Sequence, residues 1–199
     1  MRILFASMAS LVLAAGSAHA APEVGAKAPA FSGMTTAGEP LSLSDLAGQK
    51  VILEWTNHEC PFVQKHYKSG NMQATQTAAL EDGYTWVTVI SSAPGKQGHV
   101  SAAEADELTA SRNAHPTFVV LDESGDIGTA YAAKTTPHMF IIDESGTLVY
   151  AGGIDSIPSA DVGDLDAAEN YVLAALEDLD AGQPVATPQS QPYGCSVKY

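Results

Sequence analysis

Cysteine is almost absent: Cys60 and Cys195 are the two in a chain of 199 residues. So low a count excludes a multi-disulfide scaffold and the four-cysteine zinc sites that staple small domains. Basic residues are scarce as well, nine Lys and Arg against 23 Asp and Glu, for a formal charge of −14. A surface of that sign repels phosphate backbones, which excludes nucleic acid as a partner. After residue 20 no apolar run approaches the roughly 18 residues that a membrane-crossing helix needs, and no internal repeat is visible.

The one long apolar stretch lies at the start. Arg2 supplies a positive n-region, Ile3 to Ala15 a short apolar core, and Ala18-His19-Ala20 a small-x-small cleavage site. This pattern predicts an export signal over residues 1–20 and a mature chain that begins at Ala21, periplasmic or secreted and off the membrane once the signal is cut. Export places both thiols in an oxidising compartment, where disulfides persist. The remaining length suits one domain, read here as residues 21–181, followed by a flexible extended tail over 182–199 that carries Cys195. Pro184, Pro188 and Pro192 keep that tail from being helical.

Strands and helices alternate along the domain, which points to an α/β class. Val51-Ile-Leu-Glu-Trp55 reads as a buried central strand, and Pro61 to Lys68 as a helix, since proline is favoured in a first turn. A second helix carries Met72, Thr75, Ala79 and Leu80; Tyr84 to Ile90 is a strand; and Ser101-x-x-Glu104 opens a helix with a capping box. Thr117 to Leu121 is a further strand, with a short helix near Ile127 to Ala133. Met139 to Ile142 and Thr147 to Ala151 flank the turn Asp143-Glu-Ser-Gly146 as a hairpin. A last helix is expected over Asp166 to Ala181, with Val172, Leu173, Leu176 and Leu179 inward.

Trp55-Thr-Asn-His-Glu-Cys60-Pro61 sets a thiol between a buried strand and a helix start. Unpaired N–H groups and a partial positive charge at such a terminus favour thiolate over thiol. Lys65 and His66 on the next turn are expected to add positive charge, with Glu59 opposing. Thr136-Pro137 stands directly before a strand and hairpin, a place where a cis peptide bond is expected if the loop faces the thiol.

These features together resemble the thioredoxin-fold redoxins. Val24-Gly-Ala-Lys-Ala-Pro-Ala-Phe31 and Leu43-Ser-Asp-Leu-Ala-Gly48 resemble the start of the alkyl hydroperoxide reductase and thiol-specific antioxidant branch. Cys60-Pro-Phe-Val63, with Lys65-His-Tyr67 and Gly70-Asn-Met72, is similar to a peroxiredoxin-like subgroup. The resemblance implies a three-layer α/β/α sandwich with a mixed central sheet. It also implies a thiol-based oxidoreductase with Cys60 as nucleophile and no cofactor, meeting a thiol or disulfide partner protein or a peroxide. It further implies that Thr136 and Pro137 position a substrate backbone and that Trp55 and Phe62 line an apolar rim. The chain departs from the family in two places: valine holds the second position of Cys-x-x-Cys, and Pro-x-x-x-Thr-x-x-Cys is missing because Thr56 lies four residues before Cys60.

Cys195 is left as the one intramolecular partner for Cys60, and a Cys60–Cys195 disulfide is expected in the oxidised protein. Cys195 is either a resolving thiol that attacks oxidised Cys60, or half of a permanent staple in a non-catalytic binding module. His58, His66 and His138 would join Cys60 as copper or zinc ligands only if the Pro137 loop gathers them. No metal is assigned.

Overall fold

In this computed structural model the described residues are 21–199; the expected export signal lies outside them. The chain opens with a hairpin, β1 (Ser32–Thr35) and β2 (Pro40–Ser42), and a 3-10 turn over Leu43–Leu46. Strand β3 (Lys50–Trp55) leads through the loop 56–60 into α1 (Pro61–Lys68) and α2 (Asn71–Glu81). Then follow β4 (Tyr84–Ile90), α3 (Ala102–Ser111), β5 (Phe118–Leu121), α4 (Asp126–Ala130) and β6 (Thr135–Thr136). The hairpin β7 (His138–Ile142) and β8 (Leu148–Gly152), helix α5 (Tyr171–Asp180) and strand β9 (Cys195–Ser196) complete the chain.

Seven strands form one sheet in the order β2-β1-β5-β4-β3-β7-β8. The β3–β4 and β4–β5 pairs are parallel and the others antiparallel, so the sheet is mixed, as expected. Strand alternation divides the core in two. Val51, Leu53 and Trp55 meet Phe140, Ile142, Ile127 and Tyr131 on one face. Ile52, Trp86, Met139 and Ile141 meet Val63, Met72, Val172 and Leu176 on the other. Strands covered on both faces are mostly apolar, and β3 and β4 are buried along nearly their whole length, with Glu54, Thr85 and Thr88 as the buried polar exceptions. The result is the thioredoxin-like α/β/α sandwich.

Two helix starts agree with the sequence and one does not. Cys60 caps α1 with Pro61 in its first turn, and Ser101 receives the Glu104 N–H at the head of α3. Helix α5 begins at Tyr171, not Asp166. The Asn170 side chain accepts the Val172 and Leu173 N–H groups at 3.0 and 3.1 Å, while Val162–Asp166 forms a separate 3-10 turn.

The tail is extended, but it is not free. The Ser190 N–H donates to the Ala151 carbonyl and the Ala151 N–H to the Pro188 carbonyl, both at 3.2 Å. The Ser190 hydroxyl accepts the Gly153 N–H at 2.9 Å. At the far end the Tyr199 hydroxyl donates to the Ala133 carbonyl at 2.7 Å. Its ring lies so close to Gly128 that a Cβ there would stand 2.5 Å from it. Between these anchors, β9 pairs antiparallel with β6, Cys195 opposite Thr136.

Candidate active site

Cys60 sits where β3 hands over to α1, with none of its surface exposed. The Thr136–Pro137 peptide bond is cis, in agreement with the sequence reading. The Thr136 carbonyl lies 3.1 Å from Cys60 Sγ, and the Cys195 N–H donates to the same sulfur at 3.4 Å. The Thr136 hydroxyl in turn donates to the Cys195 carbonyl at 3.4 Å. Loop and tail thus close on the sulfur from the side of β6.

Burial opposes ionisation of Cys60. The Cys195 thiol, the Val63 and Cys195 N–H groups and the Thr136 side chain outweigh it by hydrogen bonding, and the thiol pKa falls below its ordinary value. Val63 N–H is a free donor of the first helical turn, the contribution expected of a helix start. Cys195 moves the other way: burial first, then the hydrogen bond to Cys60 and its charge, push it up to about 11. The two shifts run in opposite directions, which makes Cys60 the more acidic thiol of the pair.

The structure corrects four expectations. Cys60 and Cys195 are both thiols and not a disulfide. The tail is held by β6–β9 pairing and by its anchors, so its place over Cys60 does not need a covalent bond. Trp55 does not line a rim: it is fully buried on the opposite core face from Cys60, its indole N–H donating to Ser91 at 2.9 Å. Lys65 and His66 do not contribute to the thiolate. The Lys65 ammonium pairs with Asp155 at 3.1 Å, both side chains buried, and burial holds the His66 pKa down to about 4, leaving it neutral. Finally, the tail does not hang free: it is docked on the body from Ser190 to Tyr199. Phe62 is half-buried, its ring edge-on to Tyr193 at 5.8 Å.

The histidines do not converge. His66 contacts Asn71 and Tyr193, while His138 packs on Phe140 and accepts the Lys134 N–H at 3.4 Å. His58 lines a cavity under α3 with Thr56, Tyr67, Thr88 and Arg112, and Cys60 is not among its walls. Among the described residues no group of three or more His, Cys, Asp or Glu is placed to hold a metal.

No motif in the sequence marks Glu54, Asp155 or Tyr193. Glu54 is fully buried and accepts from Tyr67 at 2.8 Å, Trp86 at 3.0 Å and Thr88 at 3.1 Å; burial raises its pKa against those bonds. One signal was legible, since a carboxylate inside the run Val51 to Trp55 must find partners.

The neutral histidines make the fold sensitive to acid. Burial holds His138 down to about 3 and His66 to about 4, against about 6.5 in an unfolded chain. Folded pKa values below the unfolded one mean stability that is complete above pH about 6.5 and is lost as pH falls toward the folded values. His66 alone accounts for on the order of 3 kcal/mol across that window. The melting temperature should fall steeply from pH 7 to 4, and His138→Asn should flatten the slope. Equal slopes in the two proteins would contradict a neutral His138.

A thiol at the N-cap position of a helix, beside a cis-proline loop and in a mixed sheet of this order, is thioredoxin-like. The redoxin family model matches residues 23–168. The chain belongs to the redoxin family. The family is one of thioredoxin-like oxidoreductases. Among solved structures this redoxin is similar to an uncharacterised conserved protein from Geobacillus kaustophilus, at 23% identity and a TM-score of 0.74, covering 89% of this chain and 92% of that one. It is similar also to a hypothetical protein from Sinorhizobium meliloti 1021, at 20% and 0.71, covering 90% and 96%. The third is the exposed lipoprotein thioredoxin of Streptococcus pneumoniae strain TIGR4, at 25% and 0.52, covering 74% and 98%. No match was found among curated proteins. The first two identities show the shared fold alone.

Proposed function

We propose that this redoxin is an exported, peroxiredoxin-like antioxidant or thiol-disulfide oxidoreductase in which Cys60 attacks and Cys195 resolves. The observation that supports it best is the placement of Cys195 over Cys60, its N–H 3.4 Å from the sulfur, with the two pKa values moved in opposite directions.

With a peroxide, the Cys60 thiolate attacks the O–O bond. A sulfur–oxygen bond forms, the departing oxygen takes up a proton as water or alcohol, and Cys60 becomes a sulfenic acid. Cys195 sulfur then attacks Cys60 sulfur, hydroxide leaves, and the Cys195 proton converts it to water. With a disulfide substrate, Cys60 forms the mixed disulfide and Cys195 displaces the second substrate thiol. A dithiol partner protein returns the Cys60–Cys195 disulfide to thiols. Loss of negative charge on Cys60 after its first step removes one cause of the high Cys195 pKa, so the resolver becomes competent only when it is needed.

The domain and tail act as one unit in this reading, residues 182–199 supplying the resolver to the 21–181 body. Cleavage after Ala20 and a periplasmic or secreted location follow from the leader pattern, and the pneumococcal relative is itself an exposed lipoprotein. The competing reading, a binding module without turnover, draws on the complete burial of Cys60. One equivalent of hydrogen peroxide added to reduced protein separates the two. The catalytic reading requires loss of two hydrogens in intact mass and a Cys60–Cys195 peptide on non-reducing mapping; unchanged thiols leave the binding module.

A further inference from the structure

Lys65 and Asp155 form an ion pair with both side chains almost fully buried, close to the site yet touching neither sulfur. A buried pair is sustained only when its remaining hydrogen-bonding positions are filled. The Lys65 ammonium also donates to the Ile157 carbonyl at 3.3 Å, and Asp155 accepts the Ile157 N–H at 3.1 Å. A further hydrogen bond to the carboxylate comes from the tail, donated by the Tyr193 hydroxyl.

His66 orders this contact. The Asn71 amide nitrogen lies 2.8 Å from His66 Nδ1, so Nδ1 accepts and the ring proton of the neutral imidazole is on Nε2. Nε2 faces the Tyr193 oxygen at 3.2 Å and donates to it, leaving that hydroxyl one choice of acceptor, Asp155. The Tyr193 ring stands edge-on to Phe62, and Lys65 Nζ is 5.8 Å from its centroid. Two residues further along the tail is Cys195.

We propose that Tyr193 is a positioning residue, the latch by which the buried Lys65–Asp155–His66 receptor holds Cys195 over Cys60, and that opening this latch is the step that admits a polypeptide strand to the β6 edge. The proposal rests on the reading of Cys195 as resolver. A polypeptide substrate needs the edge of β6 that β9 occupies, because an extended segment docks by adding a strand to it. The tail is therefore both second reactant and first occupant of the docking edge, and Tyr193 sets how long it stays.

The test uses the full chain. In the Cys195→Ser background, the rate at which a polyethylene-glycol maleimide alkylates Cys60 reads tail release without any need for turnover. Adding Tyr193→Phe, which keeps the ring against Phe62 and removes the hydroxyl, should raise that rate about tenfold. Tyr193→Leu, which loses ring and hydroxyl, should raise it further. With Cys195 restored, Tyr193→Phe should make the Cys60–Cys195 disulfide about tenfold easier to reduce in glutathione buffers, about 30 mV. Tyr199→Phe removes a tail hydroxyl that anchors the chain end beyond β9 and should change both values far less than Tyr193→Phe does. Equal alkylation with and without Tyr193→Phe, or an equal response to Tyr199→Phe, overturns the latch. Altered alkylation without any peroxide-driven disulfide sinks the catalytic reading and leaves the latch standing.

Discussion

Cys195→Ser, treated with excess hydrogen peroxide, should gain two oxygens at Cys60 where the native chain loses two hydrogens. Cys60 has no thiol neighbour within its own helix, since Val63 stands where a Cys-x-x-Cys motif has its second cysteine. Once it is a sulfenic acid, it either meets another thiol or proceeds to sulfinic acid, which ordinary thiols do not reverse. In the native chain that thiol is already in place, with the Cys195 backbone hydrogen-bonded to the sulfur it is to attack. Removing it exchanges an intramolecular step for one that depends on external thiol, a loss of turnover on the order of a hundredfold or more. The fold should be retained to within about 1 kcal/mol, because the β6–β9 pairing and the Tyr199 anchor survive the substitution. Intact mass after a peroxide titration decides it, and full recycling with no sulfinic product would end the resolving role of Cys195.

Gly194→Ala should dislodge β9 while leaving both sulfurs in the chain. Gly194 has φ +130°, a conformation that side chains rarely adopt, and a Cβ there would stand 2.0 Å from the Thr136 carbonyl oxygen. The neighbour in the way is backbone of the Pro137 loop, which cannot swing aside as a side-chain tip does. Strain of this kind costs on the order of 1–3 kcal/mol before the clash is counted, enough to shift a docked strand mostly to the undocked state. Alkylation of Cys60 should rise by about an order of magnitude or more, and the yield of intramolecular disulfide after one equivalent of peroxide should fall in step. Native rates of both would show that contact between β6 and β9 does not control the thiol.

Much of the fold was legible because its signals are local. The runs Val51 to Trp55 and Tyr84 to Ile90, the capping box at Ser101 and the Cys60-Pro61 helix start each depend on residues a few positions apart. Thr136-Pro137 before a hairpin was equally plain. Helix α5 was misjudged at its start because Ala167, Ala168 and Glu169 favour a helix as strongly as the residues after them. The Asn170 cap, visible as a residue type, gains meaning only from the apolar face that follows it.

Short-range spacing alone writes the strand–thiol–helix junction, the missing second cysteine beside it, and the α/β class. Packing, and no spacing, set which face Trp55 takes and how Asp155, Lys65 and His66 come to share one buried cluster. It also brought Cys195, 135 residues from Cys60, onto that sulfur as a thiol and not as half of a disulfide. Such contacts arise when separately folded segments pack and satisfy each other's hydrogen bonds, and no local pattern carries that information.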